Sequence, residues 1–385
     1  MASYDAEIGI VGAGPAGARA AELLAGRGAH VTVWDPRIPW EKPCGGGLPA
    51  SAFDRMPELR KLLPDARRID AVRFEAPEGH GFSVVLDRPM YMVARQNLAR
   101  FQIERAKKAG ARWIQRGVRR ISRRNGGWLL ESDDGRSWTA RRVVGADGAA
   151  SLTRRVCSPD LRVELAPTRV AYPRGVTSAP GTVLIRLFDE VDGYFWDFSR
   201  PDHRSVGTGV EPGKWNRRRL DAEIDLYLAG DRGTLEGEAF SSRTGAVIGT
   251  AALGHGSYEG VGGPDFALLG DAAGFADPAT GEGIQNALLS AGHLAECYDP
   301  ETGFVSYPAA VRAHMDPAFR ASRVLRRVLF QLGVGDWLLD RGKTRRWARA
   351  LVSAVMNSTN EHDLTALGLA RRARSALSSG AVRAP

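Results

Sequence analysis

Apolar residues along the chain fall into short runs separated by glycine-rich turns and amphipathic stretches, a rhythm that predicts alternating strands and helices. Glu7 to Val11 (EIGIV) reads as a buried strand, Ala18 to Gly26 as an alanine-rich helix ended by Gly26 and Gly28, and His30 to Trp34 as a second strand closing on Asp35. Period-two alternation then marks antiparallel strands at Ile69 to Glu75, Phe82 to Leu86 and Met90 to Val93. A helix is expected over Arg95 to Gly110, with Leu98, Phe101, Ile103 and Ala106 as its apolar positions. Four strands follow, at 112–115, 118–122, 128–131 and 138–144. From about 160 to 255 the pattern is mostly β, clearest at Thr182 to Phe188, Tyr194 to Ser199 and Val206 to Val210, with a helix at Asn216 to Ala229. Phe266 to Leu269 returns to a buried strand, and a helix runs from Ile284 to about Cys297. Beyond Tyr307 the pattern is helical and rich in arginine, at 312, 320, 323, 326, 327, 345, 346 and 349.

Composition changes this picture little. The chain has 385 residues, 43% hydrophobic and 25% charged, which is ordinary globular usage and long enough for two domains. Three cysteines (Cys44, Cys157, Cys297) match neither a disulfide framework nor a zinc knuckle, so a reducing, cytoplasmic location is expected. His255, His293 and His314 form no metal spacing with nearby acids, and no metal is expected. Asp5 and Glu7 stand where a signal peptide would be basic and then apolar, and no apolar run reaches bilayer length. The formal charge of +9 comes from 53 Lys+Arg against 44 Asp+Glu. With no nucleic-acid module or aromatic and basic interleave beside it, that excess does not point to nucleic acid.

One segment changes the picture more. Gly12-Ala13-Gly14-Pro15-Ala16-Gly17 follows the first strand and opens the first helix. In that context Gly12 allows a tight turn, Gly14 lets the backbone approach a pyrophosphate, and Gly17 permits close helix-on-strand packing. The helix N-terminus meets phosphate charge. Asp35 stands 23 residues after Gly12, where a carboxylate accepts hydrogen bonds from ribose hydroxyls. The fingerprint leaves FAD and NAD(P) both open.

Three motifs in order, GAGPAG, GADGAAS (145–151) and GDAAGFADPATGEGI (270–284), resemble the FAD-binding signature of the flavoprotein superfamily that includes aromatic hydroxylases, flavin halogenases and geranylgeranyl reductases. Within it the chain is most similar to the geranylgeranyl reductase family, over most of residues 5 to 300. The likeness rests on Pro43-Cys44-Gly45-Gly46-Gly47, on Tyr194-Phe195-Trp196-Asp197-Phe198, and on Gly274-Phe275 with Thr280-Gly281-Glu282-Gly283. Gly274 stands where hydroxylases usually carry His, and no halogenase Trp-x-Trp-x-Ile-Pro segment is present. Two departures stand out: Ser199 follows Phe198 where the family's strand ends in Phe-Pro, and Asp197 replaces an apolar or aromatic residue.

The resemblance implies an α/β fold: a Rossmann-type FAD-binding domain (1–50, 90–155, 258–300) interleaved with a β-sheet substrate domain (51–89, 156–257), then a helical C-terminal region (301–385). It implies FAD contacts at Gly12, Gly14, Pro15, Ala16, Gly17, Asp35, Cys44, Gly45, Gly46, Arg95, Val118, Asp147, Gly148, Gly270, Asp271, Gly281, Gly283 and Ile284. Asp147 reads equally as a helix cap. The helix after Gly283 would face the flavin pyrimidine, its dipole favouring negative charge there.

The implied reaction is reduction of an isoprenoid alkene by hydride from reduced flavin, with a proton added at the neighbouring carbon in a dry pocket. NAD(P)H or a ferredoxin would supply electrons. Cys44, Tyr194 and Trp196 are the candidate catalytic residues. Cys44 sits in a loop whose glycines permit close approach, although a free Cys is also a common small buried apolar group. Alternation sends Tyr194, Trp196 and Phe198 to one face, as an aromatic wall or as plain sheet packing, and Phe195 with Asp197 to the other. The basic C-terminal helices suit either peripheral contact with anionic lipid or a solvated face. Two other functions remain open: an FAD-dependent monooxygenase acting on a small or tethered metabolite, and a flavin-free Rossmann-like binding protein.

Overall fold

A computed structural model describes residues 4–76, 79–174, 179, 181–230, 243–251, 258–332, 346–360 and 365–378. The expected residues His255 and Arg345 lie outside them. The chain divides into two compact units, one of Met1–Glu41, Arg95–Leu165 and Val247–Asp316, the other of Lys42–Ala94, Ala166–Ala246 and Pro317–Pro385. The loop 42–50, expected with the FAD-binding pieces, clusters with the second unit, and so does the C-terminal segment from 317.

The sheet of the first unit is ordered Arg112–Ile114, Val31–Trp34, Ala6–Val11, Ser137–Gly145, Gly127–Ser132, Val118–Arg124, with Phe266–Leu268 also pairing with Ser137–Gly145. Ala6–Val11 is parallel to both neighbours, as Phe266–Leu268 is to Ser137–Gly145. Parallel strands are covered on both faces, which is why Ala6–Val11 and Val31–Trp34 read as continuous apolar runs rather than as alternation. Trp34, Trp128, Leu130 and Val143 centre the core on one side, and the Trp128 indole N–H donates to the Asp265 carbonyl at 2.9 Å.

The first helix is Pro15–Ala25, starting three residues earlier than alanine content alone suggests, because Pro15 occupies its first turn. Gly26 stays right-handed there, and the chain reverses at Gly28, whose φ is +88°.

The second unit holds an eight-stranded sheet ordered Arg243–Ala251, Val163–Ala171, Arg204–Val210, Gly193–Ser199, Thr182–Leu187, Ala66–Glu75, Gly81–Val93, Gly47–Leu48. Gly81–Val93 is one strand where two were expected. The interruption at Asp87-Arg88-Pro89 is real but local: Ile69 pairs with Met90 and Ala71 with Val85, so Leu86 to Pro89 bulge opposite Asp70. Helix Arg217–Gly230 packs Leu220, Ile224 and Leu228 on one face, against Phe195, Val206 and Val210. The opposite face is cored by Ile69, Val72, Val84, Met92 and Val183.

The C-terminal helix Arg346–Asn360 docks along Gly81–Val93. Asn357 accepts from the Asp87 N–H at 2.6 Å, and Asn360 donates to the Arg88 carbonyl at 2.7 Å while accepting from the Ala50 N–H at 3.0 Å. Amide side chains thus satisfy backbone groups that strand pairing leaves open.

Candidate functional site

Parallel pairing decides where the motifs go. Gly12 follows Val11, Asp35 follows Trp34, Ala146 follows Gly145 and Leu269 follows Leu268, so four motif segments leave the carboxyl ends of parallel strands at one edge of the sheet. That edge is where doubly wound sheets bind ligands. The strand ends are stitched by backbone bonds: Gly12 N–H to Trp34 O at 2.8 Å, Ala146 N–H to Val11 O at 2.8 Å and Leu269 N–H to Gly145 O at 2.8 Å.

Each glycine of the fingerprint has its own reason. Gly12 has φ +91°, and a Cβ there would strike the Ala146 carbonyl. A Cβ on Gly17 would strike the Gly12 carbonyl, so helix and turn touch only because both lack side chains. A Cβ on Gly14 would meet nothing within 4 Å, leaving open approach to the helix N-terminus. Pro15 and Ala16 form the first turn of that helix. Asp35 accepts from the N–H groups of Ala13 (2.9 Å), Arg37 (2.9 Å) and Ile38 (3.1 Å). A carboxylate has about four acceptor positions, so one is left for a ribose hydroxyl.

Arg95 opens helix Arg95–Lys108, whose first amides are capped by Glu41: Arg95 N–H to Oε1 at 3.1 Å and Gln96 N–H to Oε2 at 2.9 Å. The Arg95 side chain is 7% exposed, and its buried Nε has no hydrogen-bond partner among the described residues. On the same helix, Gln102 donates from Nε2 to the Pro15 carbonyl at 3.1 Å, tying this helix to the glycine turn. Glu41 and Gln102 carried no motif in the sequence. Val118 begins the last strand of the sheet and packs half-buried against the core.

Asp147 spends its carboxylate on the helix Leu152–Cys157, accepting from Ser151 Oγ at 2.5 Å, Thr153 N–H at 3.0 Å and Thr153 Oγ1 at 3.2 Å. Geometry therefore makes it a cap, while Gly148 supplies the positive φ (+78°) of the turn. In the third motif Gly270 (φ +53°) packs where a Cβ would lie 3.4 Å from the Ala16 side chain, so the first and third motifs meet. Gly274, at φ +77°, occupies a left-handed position that a histidine would strain.

Asp277 organises the loop that follows. Its Oδ1 accepts from Ala279 N–H (3.0 Å), Thr280 N–H (2.8 Å) and Thr280 Oγ1 (2.9 Å), and Gly281 takes φ +68°. The Asp-Pro pair is the signal that identifies this turn in sequence. Gly283 precedes helix Ile284–Cys297 and lies against Asp271, whose Oδ1 would be 3.2 Å from an added Cβ. The helix does not present a bare N-terminus, because the Glu282 carboxylate accepts from the Gln285 N–H at 2.8 Å. Burial pushes the Glu282 carboxyl up to about 7; the Gln285 N–H opposes this, while the charges of Asp277 and Asp271 add to it.

The second unit carries the remaining candidates. Cys44 is half-buried, and its Sγ accepts from the Gly46 N–H at 3.3 Å. Tyr172 holds the loop by accepting from the Cys44 N–H at 3.2 Å and donating to the Lys42 carbonyl at 3.1 Å. Gly46 needs its positive φ of +80°, and a Cβ on Gly45 would lie 2.5 Å from the Phe198 ring. The loop is therefore flush with the aromatic strand. Alternation holds there: Tyr194, Trp196 and Phe198 follow one another at ring spacings of 5.9 and 6.3 Å, while Phe195 turns to Tyr227 at 4.5 Å.

Trp196 is only 5% exposed and donates from its indole N–H to Ser205 Oγ at 3.2 Å, so Tyr194 and Phe198 keep the accessible surface of that face. Asp197, 2% exposed, is explained by Arg204, which donates to it from Nε at 3.1 Å, and by the Tyr227 hydroxyl at 2.8 Å. A buried carboxylate persists because it is paired and hydrogen-bonded. Among the described residues no group of three His, Cys, Asp or Glu side chains could hold a metal ion. His293 and His314 stack at 4.6 Å.

The open Gly14 approach and the buried Arg95 Nε fit a dinucleotide pyrophosphate and an anionic cofactor. A Rossmann unit with three motif loops at one sheet edge, joined in sequence to a β-rich unit, together with reductase relatives makes the chain an FAD-dependent oxidoreductase. Residues 10–38 match the NAD(P)-binding Rossmann-like domain family. Geranylgeranyl diphosphate reductase of Synechocystis is 29% identical over 75% of this chain and 74% of its own length, and that of Rhodobacter capsulatus is 30% identical over 76% and 74%. The chain belongs to the geranylgeranyl reductase family. The fold is also shared with a geranylgeranyl bacteriochlorophyll reductase-like protein from Thermoplasma acidophilum (17% identity, TM-score 0.63, 95% of both chains).

Proposed function

We propose that the protein reduces carbon-carbon double bonds of an isoprenoid chain of the geranylgeranyl type. The first unit would hold FAD through Gly12 to Gly17, Asp35, Arg95, Gly270, Asp271 and Gly281 to Ile284, and the second would bind substrate. FAD held there would, when reduced, supply hydride to one alkene carbon while the neighbouring carbon takes a proton. NAD(P)H or a ferredoxin supplies the electrons.

Cys44, with Gly45 and Gly46, borders the reacting end of the substrate site. Tyr194 and Phe198 wall the chain and exclude water from it, with Trp196 packed between them beneath the surface. What carries this reading is the seating of the Cys44 loop against Phe198 beside half-buried apolar side chains, among them Met90, Ile185, Tyr194, Phe330 and Met356. Half-buried apolar side chains gathered in this way suit a hydrocarbon chain. The protein would work in the cytoplasm with peripheral contact to a lipid surface.

The test is anaerobic incubation of the photoreduced flavoprotein with geranylgeranyl diphosphate or a geranylgeranyl lipid. A mass gain of two hydrogens per double bond is expected. Unchanged mass, together with NAD(P)H-linked oxygen uptake stimulated by a small metabolite, would replace reduction by monooxygenation.

A further inference from the structure

Arg200 lies in the four-residue turn between strands Gly193–Ser199 and Arg204–Val210, closed by its own N–H to the His203 carbonyl at 2.8 Å. Turns are normally solvated, yet this arginine is 0% exposed. Burying a guanidinium is costly unless its donors are used. Its two terminal nitrogens are used, Nη2 on the cysteine loop, where it donates to the Cys44 carbonyl at 2.6 Å and reaches the Gly45 carbonyl at 3.4 Å. The guanidinium also lies over the Tyr172 ring at 5.4 Å, and Tyr172 holds the Cys44 N–H. Ser205, just past the same turn, adds a second donor to the Cys44 carbonyl at 3.0 Å, and the Trp196 indole fixes Ser205.

The rest of the turn answers the charge. Arg200 Nη1 faces His203 Nε2 at 3.4 Å, and His203 Nδ1 faces Asp202 Oδ1 at 2.7 Å. Desolvation alone would raise the Asp202 carboxyl; its hydrogen bond to His203, with the nearby charges of His203 and Arg200, holds it below its ordinary value.

Resting on the reductase reading, we propose that Arg200 is a positioning residue: with Tyr172 and Ser205 it clamps both peptide groups flanking Cys44, so that the thiol is presented in one orientation. None of these three residues belongs to the motifs that carry the family likeness, and Arg200 is 156 residues from Cys44.

The experiment compares wild type, Arg200→Lys and Arg200→Met as full-length protein without cofactor, by peptide-resolved amide hydrogen exchange and iodoacetamide labelling of Cys44. Exchange over 42–48 should rise at least tenfold in R200M and about threefold in R200K, which can reach a single carbonyl. Labelling of Cys44 should rise with it, while exchange over 193–199 stays within twofold. Loop exchange at the wild-type rate in folded R200M, or an equal rise in both segments, overturns the clamp. Should R200M not fold, R200K decides alone, and a wild-type loop rate in it overturns the clamp.

Activity separates this from the reductase reading. If wild type reduces isoprenoids, R200K should lower kcat at least fivefold with KM within twofold, and an unchanged kcat with a loosened loop overturns the positioning role. If wild type reduces no isoprenoid, the reductase reading fails while the exchange data still judge the clamp.

Discussion

At the scale of single residues, the chemistry concentrates where an ionisable or reactive group is held by backbone. Glu282 illustrates it. Its carboxyl is lifted from 4.5 to about 7, so the folded chain binds a proton that the unfolded chain has released over that interval. The contribution of Glu282 to stability therefore falls as pH rises from about 4.5 to 7. Glu282→Gln removes the penalty while keeping an acceptor for the Gln285 N–H. The variant without cofactor should match wild type near pH 4 and exceed it at pH 8 by on the order of 1–3 kcal/mol, read by thermal unfolding across pH. A constant difference at all pH values would assign the effect to packing. Cys157 marks the opposite extreme, its thiol pushed by burial up to about 12 and so unreactive beside Cys44 in labelling experiments. The departure at Asp197 was visible in the sequence, but its partner Arg204, seven residues away across a hairpin turn, was not.

At the scale of elements, the turn and helix from Gly12 to Ala25 separate folding from binding. Gly14 has ordinary extended angles (φ −62°, ψ −175°) and open space around a Cβ, whereas Gly17 has the Gly12 carbonyl in the way. Gly14→Ala should cost the cofactor-free protein at most about 1 kcal/mol, while weakening FAD at least ~10-fold by occupying the pyrophosphate approach. Gly17→Ala should instead lower the stability of the cofactor-free protein by about 3 kcal/mol. FAD titration by fluorescence quenching and thermal unfolding give the two readouts, and equal FAD affinity in G14A would remove the cradle from the site. This element was legible because its periodicity and glycine positions are local. The 13-residue strand Gly81–Val93 was not, because Asp87-Arg88-Pro89 looks like a turn and only pairing with Ala66–Glu75 shows it as a bulge.

At the scale of the whole molecule, the excess positive charge has two different fates. Along Val118–Arg124 the arginines are answered nearby: Arg120 by Glu131, Arg119 by Asp133 and Arg123 by Asp265. Helices Arg346–Asn360 and Ala366–Ser378 contain five arginines and no acidic residue of their own; Arg372 is answered by Asp87 of another element, and Arg349 is buried. They also expose Trp347, Leu351, Leu377 and, at 81%, Leu367. Arginines beside exposed Trp and Leu suit the proposed contact with an anionic lipid surface. No helix among the described residues is long and apolar enough to cross a membrane. The protein should cosediment with vesicles containing phosphatidylglycerol more than with phosphatidylcholine alone, and Leu367→Glu should reduce that at least threefold. Equal sedimentation with both lipids would return these helices to a solvated role.

The sequence by itself determined the alternation of strands and helices, the glycine turn, the three motifs and the family they resemble. Each is written in residues a few positions apart, through periodicity or a backbone angle that only glycine takes easily. Tertiary structure alone decided which side chains close on Cys44, where the loop 42–50 and the last helices belong, and how Asn360 meets Ala50 from 310 residues away. Such contacts join residues with no shared local pattern, and their energy depends on burial and on donors meeting acceptors, neither of which exists until the chain has folded.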